Sequence, residues 1–278
     1  MAHRLLMCPP THYGIRYAIN PWMSAHVGYD APDAQRQWDR FVEILRVAAD
    51  VRIEEIDPVP DAPDLVFTAN AAFISGEIAI VSSFRHPQRR REQAVYRSAL
   101  ARLGFATTFL QQTYFEGSGE TLFDRVRPLV YAGYGWRSER SATLQLSEMV
   151  DARVLPLLLV DERFYHLDTA LCPLSSGHVM VYMDAFSEHA QRLLRRMIEP
   201  EYLIELTLED ALYLACNAVE LDDAIVLYAA SRPLRDRLLA AGYRVFATDL
   251  SEFVKAGGGA KKLTLRLEDG PAVAVVAA

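Results

Sequence analysis

The chain has 278 residues, 51% of them hydrophobic and 23% charged, with a formal net charge of -7. That length and apolar content suffice for one large core or two small ones and exclude a disordered chain. The acidic balance argues against nucleic acid as a partner, no run approaches the ~20 apolar residues of a membrane span, and the apolar stretch Leu5-Leu6-Met7-Cys8 is too short for a secretory signal.

From the N-terminus, the first periodic segment predicts a helix over 35–49, where Trp38, Phe41, Val42, Leu45 and Ala49 recur at helical spacing. Short strands bounded by turn residues are expected at 65–68 and 77–81. A helix over 88–103 follows. Pro87 lies near its start, where a missing N–H costs little, and Arg89-Arg90-Arg91 reads as its solvated first turn. Strands at 129–132, 153–160 and 178–183, a helix over 187–198, a strand at 224–227, a helix over 232–241 and a strand at 262–267 complete the pattern. The alternation points to an α/β fold. No stretch is rich enough in Pro, Gly or Ser to be a linker, so residues 1–278 are expected to form one domain. The usual nucleotide-binding loops are absent. Gly257-Gly258-Gly259 precedes a predicted strand and not a helix, so it reads as a tight turn and not a phosphate cradle.

Three cysteines, Cys8, Cys172 and Cys216, are too few and too scattered for a disulfide framework or a zinc site. A reducing, cytoplasmic setting is expected, with no metal or organic cofactor.

Three polar clusters interrupt apolar stretches. In Asp64-Leu65-Val66-Phe67-Thr68-Ala69-Asn70 the Asn either caps a turn or offers an amide to a ligand. In Phe115-Glu116-Gly117-Ser118-Gly119-Glu120 a carboxylate precedes a Gly-x-Gly that serves an ordinary exposed turn or lets another group approach closely. In Tyr165-His166-Leu167-Asp168-Thr169, an extended backbone would put His166 and Asp168 on one face. They would form a surface pair there, or an acid/base and cation-binding pair. Together the three clusters supply carboxylates beside a base, an arrangement that matches a planar guanidinium.

These motifs resemble the pentein superfamily of guanidino-group-modifying proteins. The resemblance runs from Met7-Cys8-Pro9-Pro10 and Ile19-Asn20-Pro21-Trp22-Met23, through the three clusters and Gly133-Tyr134-Gly135-Trp136-Arg137, to Leu250-Ser251-Glu252-Phe253 and Leu263-Thr264-Leu265. It implies an α/β propeller of five ββαβ units with the active site in the central channel. Homodimers are common in that superfamily, and the partner it implies is a small guanidino amino acid. By the resemblance, Glu116 binds guanidinium and supports His166, the general acid/base. Asp168 is a second guanidinium ligand, Arg137 a clamp for an α-carboxylate, Arg89 a second clamp and Asn20 a further polar contact. Asn70 stands where many relatives carry Asp, and its context is nearest the arginine dihydrolases. Glu120 replaces the more usual Asp.

The superfamily's nucleophile is a Cys thiolate that attacks the guanidinium carbon. Its position here is Lys262, and no cysteine follows Cys216. Cys216, in what reads as a buried strand, is expected to be a small core residue. An amine attacking guanidinium would keep the amidino group and end the site's activity after one turnover. Three readings follow. The first is a C–N hydrolase for arginine or a derivative, impaired because its cysteine was replaced or lost. The second is a guanidino-binding or regulatory pseudoenzyme whose Lys262 ammonium sits in the pocket on Glu116 or Asp168. The third gives Lys262 a new role with carbonyl substrates, if burial depresses its pKa against the pull of those carboxylates.

Overall fold

The computed structural model describes residues 3–24 and 28–268. Its strands form five separate three-stranded sheets. In chain order the strands are β1 (His3–Met7), β2 (Val51–Glu55), β3 (Ala72–Ser75), β4 (Ile78–Val81), β5 (Ala106–Phe109), β6 (Thr121–Phe123), β7 (Leu129–Tyr134), β8 (Arg153–Leu158), β9 (Leu171–Pro173), β10 (Val179–Val181), β11 (Leu203–Glu205), β12 (Val219–Leu221), β13 (Ala224–Leu227), β14 (Arg244–Ala247) and β15 (Leu265–Arg266). The helices are α1 (Ala31–Ala48), α2 (Glu92–Arg102), α3 (Arg140–Met149), α4 (Glu188–Met197), α5 (Leu208–Leu212), α6 (Arg232–Ala240) and α7 (Ser251–Val254).

Four sheets repeat one plan. A hairpin pairs the first two strands antiparallel, a helical crossover follows, and the third strand lies parallel to the second. This is the ββαβ unit, and its parallel step needs a crossover long enough for a helix. The fifth sheet, in the order β15-β1-β2, takes its strands from both ends of the chain: Leu5 pairs with Arg266 and Leu6 with Leu265. This last pairing closes the ring.

Local chemistry sets the helix starts. Asp30 accepts from Asp33 N–H at the head of α1, Ser187 from Ala190 N–H at α4, and Ser231 from Leu234 N–H at α6, each satisfying an otherwise orphaned donor. The predicted face of the first helix is the one buried, with Trp38, Phe41, Val42 and Leu45 packed in a core that includes Leu221 and Val226. Boundaries of the four predicted helices shift by a few residues. α1 starts four residues earlier than expected and α2 four later, its expected first turn being instead a 3-10 turn at Pro87–Arg89.

One predicted strand is not a strand, and another starts late. The stretch at 65–68 forms 3-10 turns, Pro63–Val66 and Thr68–Asn70. Pro63 opens the first, and the N–H groups of Leu65, Phe67, Asn70 and Ala71 bond back three residues, leaving no ladder for a neighbour. The stretch at 262–267 begins as a 3-10 turn, Lys261–Leu263, before β15. Cys216 likewise precedes its strand, in a turn where Leu214 adopts φ 52°. It is fully buried in the core, as a small apolar residue should be.

These departures share a cause. Before the first strand of every blade the chain makes a tight turn: Thr68–Asn70, Gly117–Gly119, Leu167–Thr169, the turn ending at Asn217, and Lys261–Leu263. Neighbouring turns pack against one another around the ring axis.

Ring closure depends on β1 and β15. Leu6 and Leu265, opposite each other, are both buried in one apolar cluster. Replacing Leu6 with Ala is expected to cost about 2–5 kcal/mol, read as a lowered midpoint in urea unfolding.

Candidate active site

The five turns point polar side chains at one another in a volume with almost no solvent access. Glu116, Glu120, Asp168, His166 and Lys262 are each 1% exposed or less. Gly119 makes the convergence possible. A Cβ there would run into the Asn70 amide and come within 3.1 Å of Lys262 Nζ. Gly117, at φ +59°, would put a Cβ 2.9 Å from the Ala72 backbone. The Gly-x-Gly is thus a close-approach turn, not an exposed one.

Lys262 Nζ lies 2.6 Å from Asp168 Oδ1 and 2.7 Å from His166 Nδ1. Lys262 and Asp168 thus form a buried ion pair. Asp168 Oδ2, also buried, accepts no hydrogen bond among the described residues. On the other side of the ring, His166 Nε2 is 2.7 Å from Glu116 Oε2, which also accepts from Arg137 at 3.1 Å. Burial alone would raise the Glu116 carboxyl, but Arg137, His166 and Arg89 outweigh it and hold it well below the usual carboxylate range. An ionised Glu116 only accepts, so the shared hydrogen is assigned to Nε2, and Nδ1 presents a lone pair to Lys262. Burial, with the charge of Lys262, keeps His166 neutral by pushing its pKa well below the ordinary value. Burial also brings the Lys262 ammonium down to about 8, against the opposing pull of Asp168 and Glu120.

His166 and Asp168 do meet one partner, but a turn brings them there and not a pleated strand: residues Leu167–Thr169 are 3-10. Glu120 accepts from Ser138 N–H and Leu167 N–H, both at 3.2 Å. Its extra methylene is housed by Gly133, where a Cβ would lie 2.6 Å from Glu120 Oε2. Burial, reinforced by Glu116, raises the Glu120 carboxyl to about 8.

The other expected contacts are tied into the frame. Asn70 donates to Glu116 O and accepts from Arg89. Arg89 is 3% exposed and not a solvated helix start; it forks onto Glu92 at 2.6–3.2 Å, near Asp64. Arg90 and Arg91 keep the solvated part of that expectation. Arg137, stacked on Tyr165, spends one arm on Glu116 and another on Ile19 O. Asn20 donates to Ala256 O and accepts from Trp22 and Met23 N–H, shaping the turn that covers the site. The space left among Asn20, Asp64, Asn70, Arg89, Arg137 and Lys262 is a cavity of about 10 Å³, room for about one water.

Sequence reasoning missed Asn217. Its side-chain oxygen accepts from Gly259 N–H and Lys262 N–H, and its amide donates to Asp168 O. It therefore fixes the backbone of both ends of the ion pair. The spacing holds the signal: Asn70, Ser118, Asp168, Asn217 and Lys262 recur at intervals of 48, 50, 49 and 45 residues. None of the cysteines is a thiolate candidate, since burial pushes Cys8 and Cys172 up to about 12 and raises Cys216 well above its ordinary value. Among the described residues no group of three His, Cys, Asp or Glu side chains is placed to hold a metal, and no helix is long and apolar enough to cross a membrane.

Comparison with known proteins fits this geometry. A family model described as N,N dimethylarginine dimethylhydrolase, eukaryotic, matches residues 28–266. The chain is 41% identical over 268 residues to the bifunctional arginine dihydrolase/ornithine cyclodeaminase ArgZ of Synechocystis sp., covering 96% of this chain but 38% of that protein. It is 37% identical to an N(G),N(G)-dimethylarginine dimethylaminohydrolase of Mycobacterium tuberculosis, covering 95% of this chain and 85% of the other. Among solved structures, the N-terminal domain of ArgZ, in a cysteine-to-serine mutant bound to substrate, superposes with a TM-score of 0.93 at 40% identity over 96% of this chain and 98% of that one.

Breaking the Arg89–Glu92 pair tests the frame under the site. Glu92→Ala leaves a buried guanidinium without its main partner and is expected to cost about 3–5 kcal/mol, measured by chemical denaturation.

Proposed function

The chain belongs to the N,N-dimethylarginine dimethylhydrolase family, and we propose that it is a guanidino-ligand-binding member whose hydrolysis is blocked by Lys262. The observation that carries this reading is the Lys262 ammonium on Asp168, 2.6 Å away, where a ligand's cation would be neutralised. Glu116, the other guanidinium-binding carboxylate, is engaged by Arg137 and His166. The remaining space of about 10 Å³ is far below an arginine's volume. In this reading the site is filled by a side chain that imitates its ligand. Arginine or a derivative enters only when Lys262 yields Asp168 and the 19–23 turn lifts.

The rest of the hydrolytic apparatus supports the same family reading. His166 is held by Glu116 as an acid/base group would be, and Asn70 sits beside it as in the arginine-dihydrolase context. What the site lacks is a leaving nucleophile. A thiolate adds to a guanidinium carbon and departs again, whereas the Lys262 amine would retain the amidino group. ArgZ is an arginine dihydrolase, and the chain spans 38% of that protein's length. We therefore assign arginine-type amino acids as the ligand class on the strength of the matched domain.

Proton linkage gives the test its sign. Releasing Asp168 is favoured once Lys262 is neutral, and its pKa is about 8. The guanidinium of arginine stays charged throughout. The Kd for L-arginine, by calorimetric titration, should fall about tenfold per unit from pH 6 to 7.5 and flatten above the Lys262 pKa. Lys262→Ala should bind more tightly with little pH dependence. A Kd unchanged by that substitution would exclude self-occupancy. Lys262→Cys is expected to convert binding into turnover, with ornithine and ammonia released from arginine. Silence of that variant despite tight binding would remove the hydrolase ancestry of the site.

A further inference from the structure

Only three of the chain's 29 basic Lys and Arg residues are lysines: Lys255, Lys261 and Lys262; the other 26 are arginines. A site that needed only a permanent cation has a cation in common use to draw on. Lysine differs from arginine in one chemical respect that matters here: it can lose its proton and attack. The geometry around Lys262 is that of an activated nucleophile. Its Nζ meets a neutral imidazole nitrogen at 2.7 Å, the other imidazole nitrogen meets Glu116 at 2.7 Å, and Arg137 holds Glu116 in turn at 3.1 Å. Nucleophile, base and orienting carboxylate in hydrogen-bond reach is the signature of covalent catalysis.

We propose that Lys262 is the attacking amine of an imine-forming site for a small 2-oxo acid. The groups facing Lys262 are Asp168, His166, Glu120 and Lys261. Asp168 holds the resting ammonium in place. When the proton passes to His166 Nδ1, the nitrogen lone pair adds to the carbonyl carbon and the C=O π pair moves to oxygen. His166 returns the proton to that oxygen, giving a carbinolamine protonated on nitrogen. It then loses one of its two N–H hydrogens and its hydroxyl as water, leaving the protonated imine. One ammonium and one carbonyl give one protonated imine and one water, and nothing is oxidised or reduced. The cavity that touches Lys262 is also lined by Arg137 and Arg89, guanidinium groups that would face the acid's carboxylate once their present partners yield. It holds about one water at rest, so even a short acid enters only when the 19–23 turn lifts. Burial brings the amine down to about 8. It is therefore about three hundredfold richer in the neutral form at pH 7 than a lysine at its ordinary value.

The proposal shares with the function above only the placement of Lys262, and the two fail separately: arginine titration reads one and imine trapping the other. The test incubates the whole chain with glyoxylate and cyanoborohydride near pH 7 and maps the adducts by mass. A carboxymethyl gain on Lys262 at least tenfold faster than on Lys255 or Lys261 of the same molecule is expected. His166→Asn should slow labelling of Lys262 at least tenfold while leaving Lys255 unchanged. Acetaldehyde at equal concentration, lacking the carboxylate, should label Lys262 more slowly than glyoxylate. Labelling of Lys255 ahead of Lys262, or no adduct on Lys262, overturns the nucleophile. Equal labelling by acetaldehyde overturns the 2-oxo acid as its partner.

Discussion

A single ammonium group sits where all five blades of the ring point inward. Lys262 Nζ touches Asp168 on one side and His166 on the other, and through His166 it reaches Glu116 and Arg137. Each link makes sense only with the next. Without Lys262, Asp168 would be a buried carboxylate with no described partner. Without Arg137 and His166, Glu116 would be pushed up by burial instead of held down. Two carboxylates and two cations are linked through His166 in a region nearly closed to solvent, so the chain of contacts is one electrostatic unit and not four separate pairs.

The frame for that unit is built from short-range chemistry. Each tight turn spends its backbone donors on local carbonyls, so its side chains are free to face the axis, and a strand that anchors the turn begins two residues on. Asn217 shows the economy of this plan: one amide side chain serves the backbones of Gly259, Lys262 and Asp168. Asn70 does related work between Arg89 and the backbone of Glu116.

Most of this was legible in the residues, but unevenly. The helix of Trp38, Phe41 and Leu45 shows in its spacing, because amphipathic periodicity is a direct image of burial. The site residues show because Glu116, His166, Asp168 and Lys262 are polar residues in apolar surroundings, which a fold tolerates only when they are paired. The turns at 68–70 and 261–263 do not show, since Phe67-Thr68-Ala69 has the composition of a strand and Lys261-Lys262-Leu263 runs almost directly into one. Asn217 shows only in the ~50-residue repeat of the axial turns, because its role is to hold backbones and Ala215-Cys216-Asn217-Ala218 carries no charged or catalytic residue type of its own. Arg89 was read as solvated from its two arginine neighbours, but burial is decided by Glu92, three residues on, lying on the same inward face.

The pairing of β1 with β15 has a consequence for the order in which the molecule is made. β1 waits for an antiparallel partner that is synthesised some 260 residues later. Blades two to five can each assemble from contiguous chain, yet Lys262 arrives only three residues before β15. Until the seam closes, Asp168 and Glu116 converge with no lysine between them. A nascent chain therefore passes through an open-centred stage with exposed apolar edges at β1, and the last turn to form is also the one that neutralises the middle.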